Sequence, residues 1–180
     1  MNKRTFYPSS NRPVALGTNG MVTSAHPLAS LAGQKILMEG GNAFDAIVAT
    51  ASTLNVVEPY MSGVGGIGLA LVYNSKEGTV RSLDFSGRAP SGAHPDRFSN
   101  DSKETGILAP LIPGNLSGWL TIHESYGSMD RERLFQSAIQ YAENGFPVTQ
   151  LNNDFMKSNA GRLAKFPSKS IILDEHGRAP

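Results

Sequence analysis

From Ala43 to Val57 the chain reads Ala-Phe-Asp-Ala-Ile-Val-Ala-Thr-Ala-Ser-Thr-Leu-Asn-Val-Val, almost wholly apolar or small. Asn42 before it suits a helix N-cap, and Asp45 stands where the reciprocal capping partner belongs. Glu58-Pro59 closes the segment, because a residue before proline avoids the α region. A helix that is apolar nearly all round is buried on most of its sides. The rest of the chain must therefore wrap this segment. For 180 residues that is a demanding requirement, and it suits the interior of a larger structure.

The flanking segments predict the wrapping elements. Pro27 opens a helix in which Leu28, Leu31, Ala32 and Ile36 recur at helical spacing, and Gly40-Gly41 ends it. Ile67–Tyr73 and Thr79–Phe85 are β-rich runs around Asn74-Ser75-Lys76-Glu77-Gly78, the pattern of a hairpin. Residues 86–106 read as loop. Helices are expected over Asn115–Tyr126, Asp130–Asn144 and, more weakly, Thr149–Ala164. Short strands are expected at Val14–Leu16, Met21–Ser24 and Ile171–Leu173, and Met1–Pro13 reads as an extended arm. Residues 14–180 then form one unit, a packed piece of an α/β or α+β protein.

Composition narrows the function. Sixteen basic and fifteen acidic residues leave a net charge of +1, which gives no electrostatic case for nucleic acid or a membrane surface. With no cysteine, disulfides, thiol nucleophiles and Cys-based metal sites are excluded. The basic start is followed by no apolar h-region, so no signal peptide and a cytoplasmic location are expected. No apolar run approaches the roughly 18 residues of a membrane span.

Few motifs carry chemistry. Gly63-Val64-Gly65-Gly66-Ile67-Gly68 matches the dinucleotide pattern, but a helix precedes it and a strand follows, the reverse of the required order. Its glycines more simply allow close backbone approach. The four histidines, His26, His94, His123 and His176, lack metal-ligand spacing, and no cofactor or metal is expected. Glu58, Asp45 and Asp84 are isolated acids; two-carboxylate chemistry would need a convergent pair. Arg88, in Asp84-Phe85-Ser86-Gly87-Arg88-Ala89-Pro90, follows a strand on a Gly/Pro-flanked loop and is well placed to fork onto a carboxylate. A structural ion pair or a solvated side chain fits the same residues equally well.

The ordered blocks Ala25-His26-Pro27-Leu28-Ala29, Gly40-Gly41-Asn42-Ala43-Phe44-Asp45-Ala46, Val56-Val57-Glu58-Pro59 and Ser62-Gly63-Val64-Gly65-Gly66 resemble the N-terminal region of the gamma-glutamyltranspeptidase family. Asp84-Phe85, Pro113-Gly114 and Ala142-Glu143-Asn144-Gly145-Phe146-Pro147-Val148 continue the series. The resemblance implies an N-terminal-nucleophile hydrolase, a four-layer αββα sandwich, of which this chain is the first part of the large subunit. Such precursors cleave themselves, and the freed threonine of the small subunit attacks a substrate amide with its own α-amino group as base. That threonine lies outside this chain, so the chain is expected to be inactive by itself. Its partners are then a small-molecule amide substrate and the remaining large- and small-subunit segments of its own precursor.

In typical members an Arg follows the Asp-Phe pair and binds the γ-glutamyl α-carboxylate. Here Ser86 holds that position and Arg88 is the nearest guanidinium. Arg88 and Ser86 are accordingly the candidate substrate-binding residues, and the Ser-Gly-Arg-Ala-Pro version resembles relatives that are acylases or amidohydrolases. A non-catalytic binding or structural module built on the same scaffold is the rival reading.

Overall fold

The computed structural model describes residues 14–99, 102–167 and 169–179. The expected arm at residues 1–13 lies outside them. Helices α1 (Pro27–Met38) and α2 (Ala43–Val57) are followed by an antiparallel hairpin, β1 (Leu69–Asn74) and β2 (Thr79–Asp84). A single 3₁₀ turn at Pro95–Arg97 interrupts a long loop. Helices α3 (Asn115–Tyr126), α4 (Arg131–Asn144), α5 (Gln150–Leu163) and the short α6 (Lys169–Ile172) complete the chain.

The capping chemistry read from the sequence is present. Asn42 Oδ1 accepts the N–H groups of Phe44 and Asp45 at 2.8 and 3.0 Å, and Asp45 Oδ2 accepts the Asn42 N–H at 2.9 Å. At the other end of α1, Gly40 takes φ +95°, a left-handed conformation in which glycine bears no Cβ penalty.

Helix α2 is the centre of the packing. Ala46, Val48 and Ala49 join Ile36 of α1, Trp119 of α3 and Leu134 of α4 in one buried cluster, with Val22, Phe85, Met129 and Phe135 packed on its margin. The α1–α2 contact is close because Gly33 faces it: a Cβ there would lie 2.1 Å from Thr50 Oγ1 and 3.0 Å from the Ala46 carbonyl. Polar residues line the same helix. Thr50 Oγ1 donates to the Ala46 carbonyl at 2.8 Å, so its hydroxyl is satisfied within the helix.

Three expected strands are absent. Val14–Leu16 and Met21–Ser24 run without ladder pairing, and Leu16 is 89% exposed. Their β-branched and apolar residues have no partner strand among the described residues, and strand propensity needs cross-strand neighbours to act on. Ile171–Leu173 is not a strand either. Residues 169–172 close one helical turn, with the Leu173 N–H donating to the Lys169 carbonyl at 2.7 Å. Local i→i+4 bonding there needs no partner.

The hairpin pairs Leu69 with Asp84 through to Asn74 with Thr79, and no further strand is paired to it among the described residues. One face carries Leu69, Leu71, Tyr73 and Val80, between 61% and 80% exposed. A two-stranded ribbon with one bare apolar face is marginal by itself. No helix among the described residues is long and apolar enough to cross a membrane.

Candidate functional site

The loop leaving β2 is built by glycines on both sides. The Phe85 N–H donates to the Gly68 carbonyl at 3.0 Å, and the N–H groups of Gly114 and Asn115 both donate to the Gly66 carbonyl, at 3.1 and 3.0 Å. Asn115 Nδ2 donates to the Gly63 carbonyl at 2.7 Å. The carbonyls of the Gly63–Gly68 run thus receive the hairpin exit and the start of α3. A Cβ on Gly68 would stand 2.2 Å from Phe85 Cε2, and one on Gly118 would stand 2.2 Å from Phe85 Cγ. No helix opens at Gly68, so the run has no helix N-terminus to offer a phosphate. Close backbone approach is its role.

The same device places Arg88. A Cβ on Gly87 would sit 1.9 Å from the Ile112 carbonyl, and the Ile112 N–H donates to the Arg88 carbonyl at 3.0 Å. That bond holds the two segments together, and Arg88 leaves them with its side chain exposed. Among the described residues its guanidinium is paired with no carboxylate. Ser86, also exposed, donates its N–H to Asp84 Oδ1 at 2.8 Å. That bond, with the Ser86 hydroxyl, holds the Asp84 carboxyl below its usual range, so Asp84 stays an anion.

Ser86 and Arg88 line a groove of about 330 Å³ with Asp84, Ile112, Ser117 and Thr121. Ser117 and Thr121 also line an adjoining depression of about 590 Å³ along α3. The two sequence candidates are therefore brought together. The far wall from α3 was not foreseen, although its two hydroxyls stand at i and i+4 and so share a helix face. The groove offers a guanidinium, a carboxylate and hydroxyl donors, a set that suits a small polar substrate bearing a carboxylate. It contains no nucleophile paired with a base. Among the described residues no cluster of three or more His, Asp or Glu side chains is arranged to hold a metal ion.

Comparison with known proteins decides the family. The family model for gamma-glutamyltranspeptidase matches residues 29–180. The chain belongs to the gamma-glutamyltranspeptidase family. It is 36% identical over 170 residues to a glutathione hydrolase proenzyme of Bacillus subtilis, covering 90% of this chain and 29% of that protein. The gamma-glutamyltranspeptidase structure from Helicobacter pylori superposes with a TM-score of 0.88 at 34% identity, covering 93% of this chain and 50% of the other. A cephalosporin acylase structure from Bacillus halodurans gives 0.85 at 33%, covering all of this chain and 35% of that one. The chain thus spans under a third of the curated relative's length.

The gamma-glutamyltranspeptidase fold is of the N-terminal-nucleophile hydrolase type, class α+β, and this chain carries part of it.

Proposed function

We propose that this chain supplies the carboxylate anchor of a gamma-glutamyltranspeptidase-like amidohydrolase or acyltransferase. The observation that carries this reading is Arg88, whose guanidinium has no carboxylate partner among the described residues and whose backbone is held beside a groove by the Ile112 hydrogen bond. Family membership supplies the chemistry. The nucleophile is the N-terminal threonine of a small subunit, outside this chain. Its hydroxyl attacks the amide carbonyl while its α-amino group takes the proton and passes it to the leaving amine. Water or an acceptor amine then attacks the threonyl ester and releases the acyl group. Arg88 holds the donor's carboxylate during both steps, with the Ser86 hydroxyl turning from Asp84 to donate a further hydrogen bond, so that the carbonyl is presented in one orientation.

The acyl donor is a small carboxylate-bearing amide whose anchor lies two residues beyond the usual Asp-Phe-Arg position. Ser86 at that position, together with likeness to an acylase, favours acyl groups other than γ-glutamyl. In the full-length protein, Arg88→Ala should lower kcat/KM on a carboxylate-bearing amide at least tenfold, about 1.4 kcal/mol. The same variant should leave turnover of an analogue lacking the carboxylate unchanged. Equal kinetics on both substrates would sink the role. Denaturing electrophoresis of the mature product should show two bands; a single band would favour the non-catalytic module.

A further inference from the structure

A cavity of about 850 Å³ lies between the end of α2, α5 and α6, and it shares no lining residue with the Arg88 groove. One wall is Tyr60 stacked on Phe155, with ring centroids 4.6 Å apart and planes 19° from parallel. The Tyr60 hydroxyl donates to Asn152 Oδ1 at 2.7 Å, and the fully buried Asn152 donates from Nδ2 to the Val57 carbonyl at 2.7 Å. Val56, Phe146, Met156 and Ile172 make the remainder largely apolar.

A second chamber of about 430 Å³ adjoins it, lined by Ser99, Ser102 and Lys165. Glu104, Thr105, Arg162 and Phe166 line both. Arg162 donates to Thr105 Oγ1 at 2.8 Å. Neither Arg162 nor Lys165 is ion-paired with a carboxylate among the described residues, and Glu104 is the single carboxylate of the described lining. The described lining of the mouth is therefore net positive, while the interior is largely apolar.

We propose that the two chambers form one site for a small amphiphilic carboxylic acid, with its tail against Tyr60, Phe155 and Met156 and its carboxylate on Arg162. An apolar chamber of this size accepts a drug-sized tail. The planar guanidinium fork matches a carboxylate more closely than any neutral head group. The site lies outside the substrate groove, so its occupant is a ligand in addition to the amide substrate.

Isothermal titration calorimetry of the full-length protein with octanoate, 1-octanol and acetate tests this. One equivalent of octanoate should bind saturably, with 1-octanol and acetate at least tenfold weaker. Arg162→Gln, at an exposed position, should weaken octanoate at least tenfold and leave 1-octanol unchanged, whereas Met156→Trp should weaken both. Arg88→Ala should leave octanoate binding intact even if Arg88 proves irrelevant to catalysis. Absence of saturable octanoate binding, as when another segment of the precursor fills the chamber, overturns the proposal. So does 1-octanol binding as tightly as octanoate, an Arg162→Gln variant of wild-type affinity, or loss of octanoate binding in Arg88→Ala.

Discussion

The Ser128 hydroxyl donates to Asp45 Oδ2 at 2.6 Å, joining the start of α2 to the α3–α4 turn across 83 residues of sequence. The same carboxylate accepts the N–H groups of Ser128, at 3.0 Å to Oδ1, and of Met129, at 3.3 Å. With the Asn42 N–H it is a buried anion satisfied from two distant segments. Burial pushes its pKa up. The Ser128 hydroxyl and the N–H groups of Asn42, Ser128 and Met129 outweigh that and hold it below the usual carboxylate range.

Replacing Asp45 should therefore be costly. Asp45→Asn presents an amide NH₂ to groups that are themselves donors, and a loss of about 2–3 kcal/mol follows from the broken charged hydrogen bonds. Because the folded pKa lies below the unfolded value of about 3.9, the carboxylate's contribution is fully present above that pH. It is lost as pH falls through the folded pKa. Urea denaturation should show a constant gap between wild type and variant near neutrality, narrowing below about pH 4.

Gly87 should tolerate no side chain. Gly87→Ala places a methyl against the Ile112 carbonyl and must open the Ile112–Arg88 hydrogen bond. A stability loss of about 1–3 kcal/mol is expected from overpacking. In the full-length protein kcat/KM for the proposed activity should fall at least tenfold at temperatures where the variant is still folded, since Arg88 moves with the loop. A folded variant of unchanged kinetics would separate Arg88 from the site.

Asn152 latches α5 to the end of α2. Asn152→Ala leaves the Val57 carbonyl and the Tyr60 hydroxyl without their partner, at a cost of about 1–3 kcal/mol. Hydrogen exchange should speed up in α5 and at the α2 terminus while α1 remains protected. Uniform loss of protection would instead mean that α5 unfolds with the core.

The Arg133 guanidinium donates from Nε to Glu39 Oε2 at 2.7 Å and from its other arm to Oε1, bridging α4 and the end of α1. Arg133, by hydrogen bonding first and by charge second, holds the Glu39 carboxyl below its usual value. Both side chains are partly exposed, so salt screens the pair. Arg133→Gln should lower Tm slightly at low ionic strength, and the difference should vanish near 1 M salt.

Much of the helical layer was legible in the residues because its signals are local. Asn42 with Asp45, Gly40 after the first helix and Pro59 after the second fixed their element ends through capping and steric rules. The expected spans at 43–57 and 115–126 match the helices observed. Failures came where structure depends on a partner. Val14–Leu16 and Ile171–Leu173 carry strand-like residues but meet no strand. In the candidate site, Arg88 stood out from its loop context and Ser86 through the family resemblance, while Ser117 and Thr121 did not. Nothing in a helix's own pattern says which exposed face will border a groove.

The sequence by itself determined the family, the spans of α2 and α3 and the hairpin. These follow from short-range capping, periodicity and ordered motif blocks. Only the tertiary structure decided that Asp45 ties two distant segments together and which backbone groups the Gly63–Gly68 carbonyls receive. It alone joined Arg88 to α3 and formed an apolar chamber with a basic mouth. Each of those depends on groups separated by tens of residues meeting within a few ångströms, and residue order carries no such distance until the chain is packed.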